Sequence, residues 1–208
     1  DDAIVLLYAT VKFINKKIVD EIVYEGSKLG IYPFILSLAD GELNEAFLHS
    51  NVLNKYQVEV LTRYTKDDNL QECKNIEGMG QNFKVVYMGE ENLLRELALE
   101  IKMVFGENLK YILAPEAYVG CYFLTILHKD ADKSHGIKSV SEYVGFDLEK
   151  LTVFGDNFND VGMFALAGTS VAVANAQDGV KELSQIVLAH TNDEDGVAKY
   201  LEGLKSAR

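Results

Sequence analysis

From about residue 136 to its end the chain alternates helical and strand-like segments without interruption, and this rhythm restricts the fold more than any other feature. A helical stretch at 136–144 puts Ile137, Val140 and Val144 on one stripe, and a short, mostly apolar segment follows at 151–154. Then come a helix at 159–167, a strand at 170–174, a helix at 177–184, a strand at 186–189 and a closing helix at 195–205. Strict strand–helix alternation argues for a Rossmann-like α/β sheet, whose parallel strands need helical crossovers. The apolar character of 151–154 suits a strand covered on both faces.

The first portion has a different rhythm. Branched and aromatic residues at 3–13 read as a strand. A helix is expected at 18–29, with Ile18, Ile22 and Leu29 on one stripe and Gly30 as its stop. Segments 31–38 and 42–48 flank Ala39-Asp40-Gly41, a hairpin signal. Further strands are expected at 56–64, 82–88, 111–114 and 121–128, and the polar stretch 65–80 reads as a loop with one short helix. The clearest helix covers 91–105, where Leu93, Leu94, Leu97, Ala98, Ile101 and Val104 repeat at helical spacing before Gly106. This is an α+β pattern, a small sheet covered by two main helices, with the boundary near 128–133. The expected domains are 1–128 (α+β) and 129–208 (α/β).

Composition excludes several functions. The chain has 208 residues, 48% of them hydrophobic, which places it among globular rather than disordered chains. Its net charge of −12, with no cluster of Lys and Arg among aromatics, argues against nucleic-acid binding, which needs a basic footprint. An acidic surface also repels anionic lipid headgroups. No apolar run reaches the roughly 18 residues of a membrane span. Cys73 and Cys121 are far apart and form no CxxC pair, as expected of two reduced thiols in a cytoplasmic protein.

The chemistry concentrates at Gly155-Asp156-Asn157-Phe158-Asn159-Asp160, directly after the strand at 151–154. Ligands of open α/β sheets bind beyond the carboxyl ends of the strands, so this string lies where a site is expected. Carboxylates and an amide converging there suit a hard divalent cation such as Mg²⁺. Taken alone, the same residues are equally compatible with helix capping. Upstream, Asp130-Ala131-Asp132-Lys133-Ser134-His135-Gly136 places a lysine just before a helix. Such a lysine can neutralise phosphoryl oxygens in a phosphoryl-transfer transition state, although a lone lysine is ordinarily a solvated surface residue.

Together with Gly168, Val171-Ala172-Val173, Asn175-Ala176 and Thr191-Asn192-Asp193-Glu194-Asp195-Gly196-Val197-Ala198, these two strings resemble the third and fourth motifs of the haloacid dehalogenase superfamily, in particular its Cof-type sugar-phosphatase branch. The resemblance covers roughly 130–200; the first portion is similar to that branch's α+β cap in element order and size only. It implies a Mg²⁺-dependent phosphatase of a small, sugar-phosphate-like metabolite, acting through an aspartyl-phosphate intermediate. It also implies roles for individual residues: Asp156 as the side-chain ligand of Mg²⁺ and Asp160 as its partner at the metal site, orienting a bound water or Lys133. Lys133 would hold the phosphate oxygens, Asn159 would donate to the phosphoryl group, and Asn175 would help bound the site.

The resemblance breaks at the family's nucleophile, an aspartate in a D-x-D motif that ends the first core strand. No apolar strand here ends in that pattern, and Asp130-Ala131-Asp132 belongs to the lysine motif. The expectation is that about 80 residues of a longer enzyme precede Asp1, given typical domain sizes. The chain alone would then be inactive, and an exposed edge of its core sheet would invite self-association. Two alternatives stand beside the phosphatase: a catalytically inactive binding module derived from the same fold, and a phosphosugar mutase. His49, His128, His135 and His190 show no metal-ligand spacing.

Overall fold

A computed structural model of the chain describes residues 11–38, 45–63, 68–116 and 118–206. These fall into two compact units: 12–131, and 132–206 together with Val11.

In the first unit, helix α1 (Lys16–Lys28) begins where the Asn15 side chain accepts the Lys17 N–H at 2.9 Å. It buries Val19, Ile22, Val23 and Gly26, and it stops at Gly30, whose φ of +72° an L side chain adopts only under strain. Strands β1 (Phe34–Leu38) and β2 (Glu45–Ser50) pair antiparallel, with Leu38 opposite Glu45. The Ala39-Asp40-Gly41 turn between them and most of the strand expected at 3–13 lie outside the described residues.

Residues 56–63 do not form the strand expected at 56–64, where Tyr56, Val58 and Val60 alternate; they belong to helix α2 (Lys55–Arg63), and Tyr64 lies outside the described residues. The Asn54 side chain caps it, accepting the N–H groups of Tyr56 and Gln57 at 3.0 Å each. Glu59 pairs with Arg63 one turn on, and Gln57 and Val60, three apart, form the buried stripe while Val58 is exposed. Strand β3 (Leu70–Cys73) occupies the stretch expected to hold a short helix; it pairs parallel with β2, and its edge position explains its lack of an apolar pattern.

Strand β4 (Asn82–Gly89), helix α3 (Glu91–Phe105), and strands β5 (Leu109–Glu116) and β6 (Cys121–His128) complete the unit. The sheet order is β3-β2-β1-β4-β6-β5. Alternation separates its faces. Ile35, Val85, Tyr87, Leu124 and Ile126 pack against α1 and α3, while Phe34, Val86 and Met88 pack against Val60 of α2. The fully buried Tyr87 donates its hydroxyl to the Ile22 carbonyl at 2.8 Å. Gly26 makes room for it: a Cβ there would lie 2.5 Å from the Tyr87 ring.

The second unit runs α4 (Lys133–Val144), β7 (Thr152–Gly155), α5 (Val161–Phe164), β8 (Thr169–Ala172), α6 (Asp178–Glu182), β9 (Ile186–Val187) and α7 (Gly196–Ser206). Its three strands are parallel, and among the described residues the order is β7-β8-β9. Both faces are covered: Val153 packs with Ile137 of α4 and Met163 and Phe164 of α5, while the Phe154 ring meets Tyr200 of α7 edge-on at 5.7 Å. The helix expected at 159–167 is shorter than its pattern suggested. A 3₁₀ turn, Phe158–Asp160, precedes α5, because the Asp160 side chain folds back onto the strand exit.

Gly168 allows the chain to re-enter the sheet. Its N–H donates to the Leu148 carbonyl at 3.0 Å, and a Cβ there would sit 1.7 Å from the Glu149 carbonyl oxygen. Gly203 in α7 has open space at the same position. Thermal or urea unfolding should separate the two: Gly168→Ala is expected to destabilise by about 3 kcal/mol or more through backbone overpacking. Gly203→Ala should stabilise by up to about 1 kcal/mol through helix propensity.

Candidate phosphate and metal site

β7 ends at Gly155, and the residues that follow emerge at the carboxyl end of the parallel sheet. Asp156, Asn157, Phe158 and Asn159 are exposed, whereas Asp160 is only 2% exposed. The Asp160 carboxylate accepts from three donors. Oδ1 takes the Lys133 ammonium; Oδ2 takes the backbone N–H groups of Asp156 at 2.9 Å and Asn157 at 3.2 Å. Gly155 is the condition for this fold-back, since a Cβ there would lie 2.5 Å from the Asp160 Cβ. Burial by itself would raise the Asp160 pKa, but the Lys133 ammonium and the two amides outweigh it and hold the carboxyl below its ordinary range.

Lys133 opens α4, where Asp132 caps the helix by accepting the His135 N–H at 2.8 Å. Gly162 lets α5 approach α4 closely: a Cβ there would be 3.0 Å from Ser134 Oγ. That approach carries the Lys133 ammonium, half of whose side chain remains exposed, to a carboxylate 27 residues further along the chain. His135 contacts Ser139 one turn on, at 3.5 Å.

The structure therefore brings Lys133, Asp156 and Asp160 together, with Asn159 exposed on the same loop. It gives the two aspartates different surroundings. Asp160 has both oxygens committed to protein donors, one of them the Lys133 ammonium. The exposed Asp156 carboxylate is engaged by no described residue, so it is open to a hard cation. Among the described residues no cluster of three or more His, Cys, Asp or Glu side chains converges. Asn175 is committed elsewhere: its Nδ2 donates to Asn192 Oδ1 at 2.6 Å, and its Oδ1 accepts the Asn192 N–H at 3.2 Å. It ties the loop after β8 to the loop after β9. Gln177 went unnoticed in the sequence, where nothing in its spacing or type points to the site; its side chain donates to Asn157 Oδ1 at 3.0 Å.

A family model of haloacid dehalogenase-like hydrolases matches residues 8–201. The chain is a member of that family. This haloacid dehalogenase-like protein is 37% identical over 81 residues to a 5-amino-6-(5-phospho-D-ribitylamino)uracil phosphatase of Bacillus subtilis, a match spanning 39% of the chain and 30% of the relative. It is 33% identical over 103 residues to a phosphoglycolate phosphatase of Archaeoglobus fulgidus, spanning 50% of the chain and 43% of the relative. The chain thus spans less than half the length of these curated relatives. A crystal structure of a haloacid dehalogenase-like hydrolase from Bacteroides thetaiotaomicron shares the fold with a TM-score of 0.72 at 23% identity, over 92% of this chain and 68% of that one.

Because the folded-state pKa of Asp160 is depressed, its ionised carboxylate stabilises the fold above the unfolded value of about 4. That contribution disappears as pH falls through the lower folded-state value. Asp160→Asn should therefore cost about 1–3 kcal/mol at pH 7, the value of a charged, buried hydrogen-bond acceptor. In denaturant titrations across pH, the gap between parent and variant should narrow below about pH 4.

Proposed function

We propose that the protein is a phosphoric monoester hydrolase of small phosphorylated metabolites, dependent on Mg²⁺ and working through an aspartyl-phosphate intermediate. The observation that carries this reading is the Lys133–Asp160 pair beside the exposed Asp156 carboxylate, at the carboxyl end of a parallel sheet. Family membership and the names of the two phosphatase relatives support it.

In this reading Asp160 holds the Lys133 ammonium in place before substrate arrives, so its charge meets the phosphoryl oxygens without reorganisation at the moment of reaction. Asn159, exposed in the 3₁₀ turn after Asp156, donates its side-chain amide to the same group. Asp156 contributes a carboxylate to Mg²⁺, which when bound neutralises charge developing on the phosphoryl oxygens. The carboxylate that accepts the phosphoryl group is none of these, since Asp160 is committed to three donors and Asp156 to the cation. The unit 12–131 serves as the α+β cap that selects the leaving group, and the enzyme works in the cytoplasm. No helix among the described residues is long and apolar enough to cross a membrane.

Phosphate release from a panel of phosphorylated metabolites tests this proposal. Turnover should require Mg²⁺, vanish with a chelator, and fall about 10²–10³-fold in Lys133→Met, the scale of losing one charge-stabilising donor. Hydrolysis that survives both the chelator and Lys133→Met would sink the reading.

A further inference from the structure

Asp160 fastens the loop 155–160 from within, and a second set of contacts fastens the same loop from the segment 177–179. Three successive residues are held. The Asp156 carbonyl accepts the Gln177 N–H at 3.0 Å, and Asn157 Oδ1 accepts from Gln177 Nε2 at 3.0 Å. The Phe158 ring lies against Gly179, where a Cβ would come 3.0 Å from its Cζ. The supporting loop is tied down in turn. Val173 N–H donates to the Gly155 carbonyl at 3.3 Å, Ala174 N–H to the His190 carbonyl at 3.1 Å, and Asn175 and Asn192 bond reciprocally.

We propose that the segment 177–179, which begins at Gln177, is a positioning brace for Asp156 that sets the divalent-cation affinity of its carboxylate. The proposal rests on the reading of Asp156 as a metal ligand. A carboxylate on an unrestrained exposed loop must lose backbone freedom when it binds a cation, which opposes binding. A loop whose residues 156, 157 and 158 are already fixed by neighbours does not incur that loss, so its ligand is preorganised. Exposed hydrogen bonds of this kind add little to folding stability, so a brace and a merely structural contact make different forecasts.

The test is a Mn²⁺ titration followed through selective paramagnetic broadening of backbone amide signals, on the parent chain and on Asp156→Asn, Gln177→Met and Gly179→Ala. In the parent, broadening should centre on residues 155–160, and Asp156→Asn should abolish it there. Gln177→Met keeps the backbone N–H but removes the side-chain donor. It should raise the Mn²⁺ concentration at half-broadening about tenfold, the scale of losing an outer contact to a metal ligand, while leaving the thermal unfolding midpoint unchanged. Gly179→Ala, by pushing Phe158 aside, should shift it in the same direction. Broadening elsewhere on this acidic surface should be insensitive to Gln177. If Asp156→Asn loses the cation while Gln177→Met and Gly179→Ala titrate like the parent, the brace is wrong and the metal reading stands. If Asp156→Asn still broadens the same amides, the metal reading fails and takes the brace with it.

Discussion

The second unit is organised around one buried carboxylate. Asp160 has lost nearly all contact with water, and an ionised group in that position is tolerated only when donors replace its hydration. Three do: the Lys133 ammonium and the amides of Asp156 and Asn157. Each donor has a structural consequence. The two amides bend the chain sharply out of β7 and leave the Asp156 side chain facing solvent. The ammonium binds the start of α4 to the loop after β7. Lys133 and the Asp156–Asn157 backbone are therefore held in relation to each other by one buried carboxylate.

Close backbone approaches make this geometry possible, and glycines supply them. Gly155 accommodates the Asp160 side chain, Gly162 accommodates Ser134, and Gly179 accommodates the Phe158 ring. Each would meet a neighbour at 3.0 Å or less if it carried a Cβ. The apolar core of Val153, Phe164, Ala172, Val173, Ala176 and Val180 then provides the rigid platform below the loops. The first unit is built on other terms. Its mostly antiparallel sheet has helices on both faces, and the buried Tyr87 hydroxyl, bonded to α1, joins strand to helix where Gly26 leaves room for its ring.

Legibility in the sequence followed the range of the interactions involved. The α3 helix was readable over its whole length, because Leu94, Leu97 and Ile101 repeat at the spacing that buries them. α2 was misread because Tyr56, Val58 and Val60 alternate like a strand, while the Asn54 cap and the Glu59–Arg63 pair that favour a helix are single residues easily passed over. β3 was missed because an edge strand needs no apolar alternation, only backbone pairing with β2. The proximity of Lys133 to Asp160 and the shared loop of Asp156, Asn159 and Asp160 were legible because two local strings carry these residues. The burial of Asp160 and the exposure of Asp156 were not, since they depend on tertiary packing. Gln177 gave no signal at all: its role arises from a loop 20 residues away, and glutamine is common on any surface.

Asp160 is an ionised, Lys133-bound anchor, and a carbon-13 titration of its side-chain carboxyl is the sharpest check of that. This carboxyl should titrate below the ordinary aspartate range, and its pKa should rise in Lys133→Met, where burial acts against the charge with one donor fewer. An ordinary titration that is indifferent to the loss of Lys133 would contradict it.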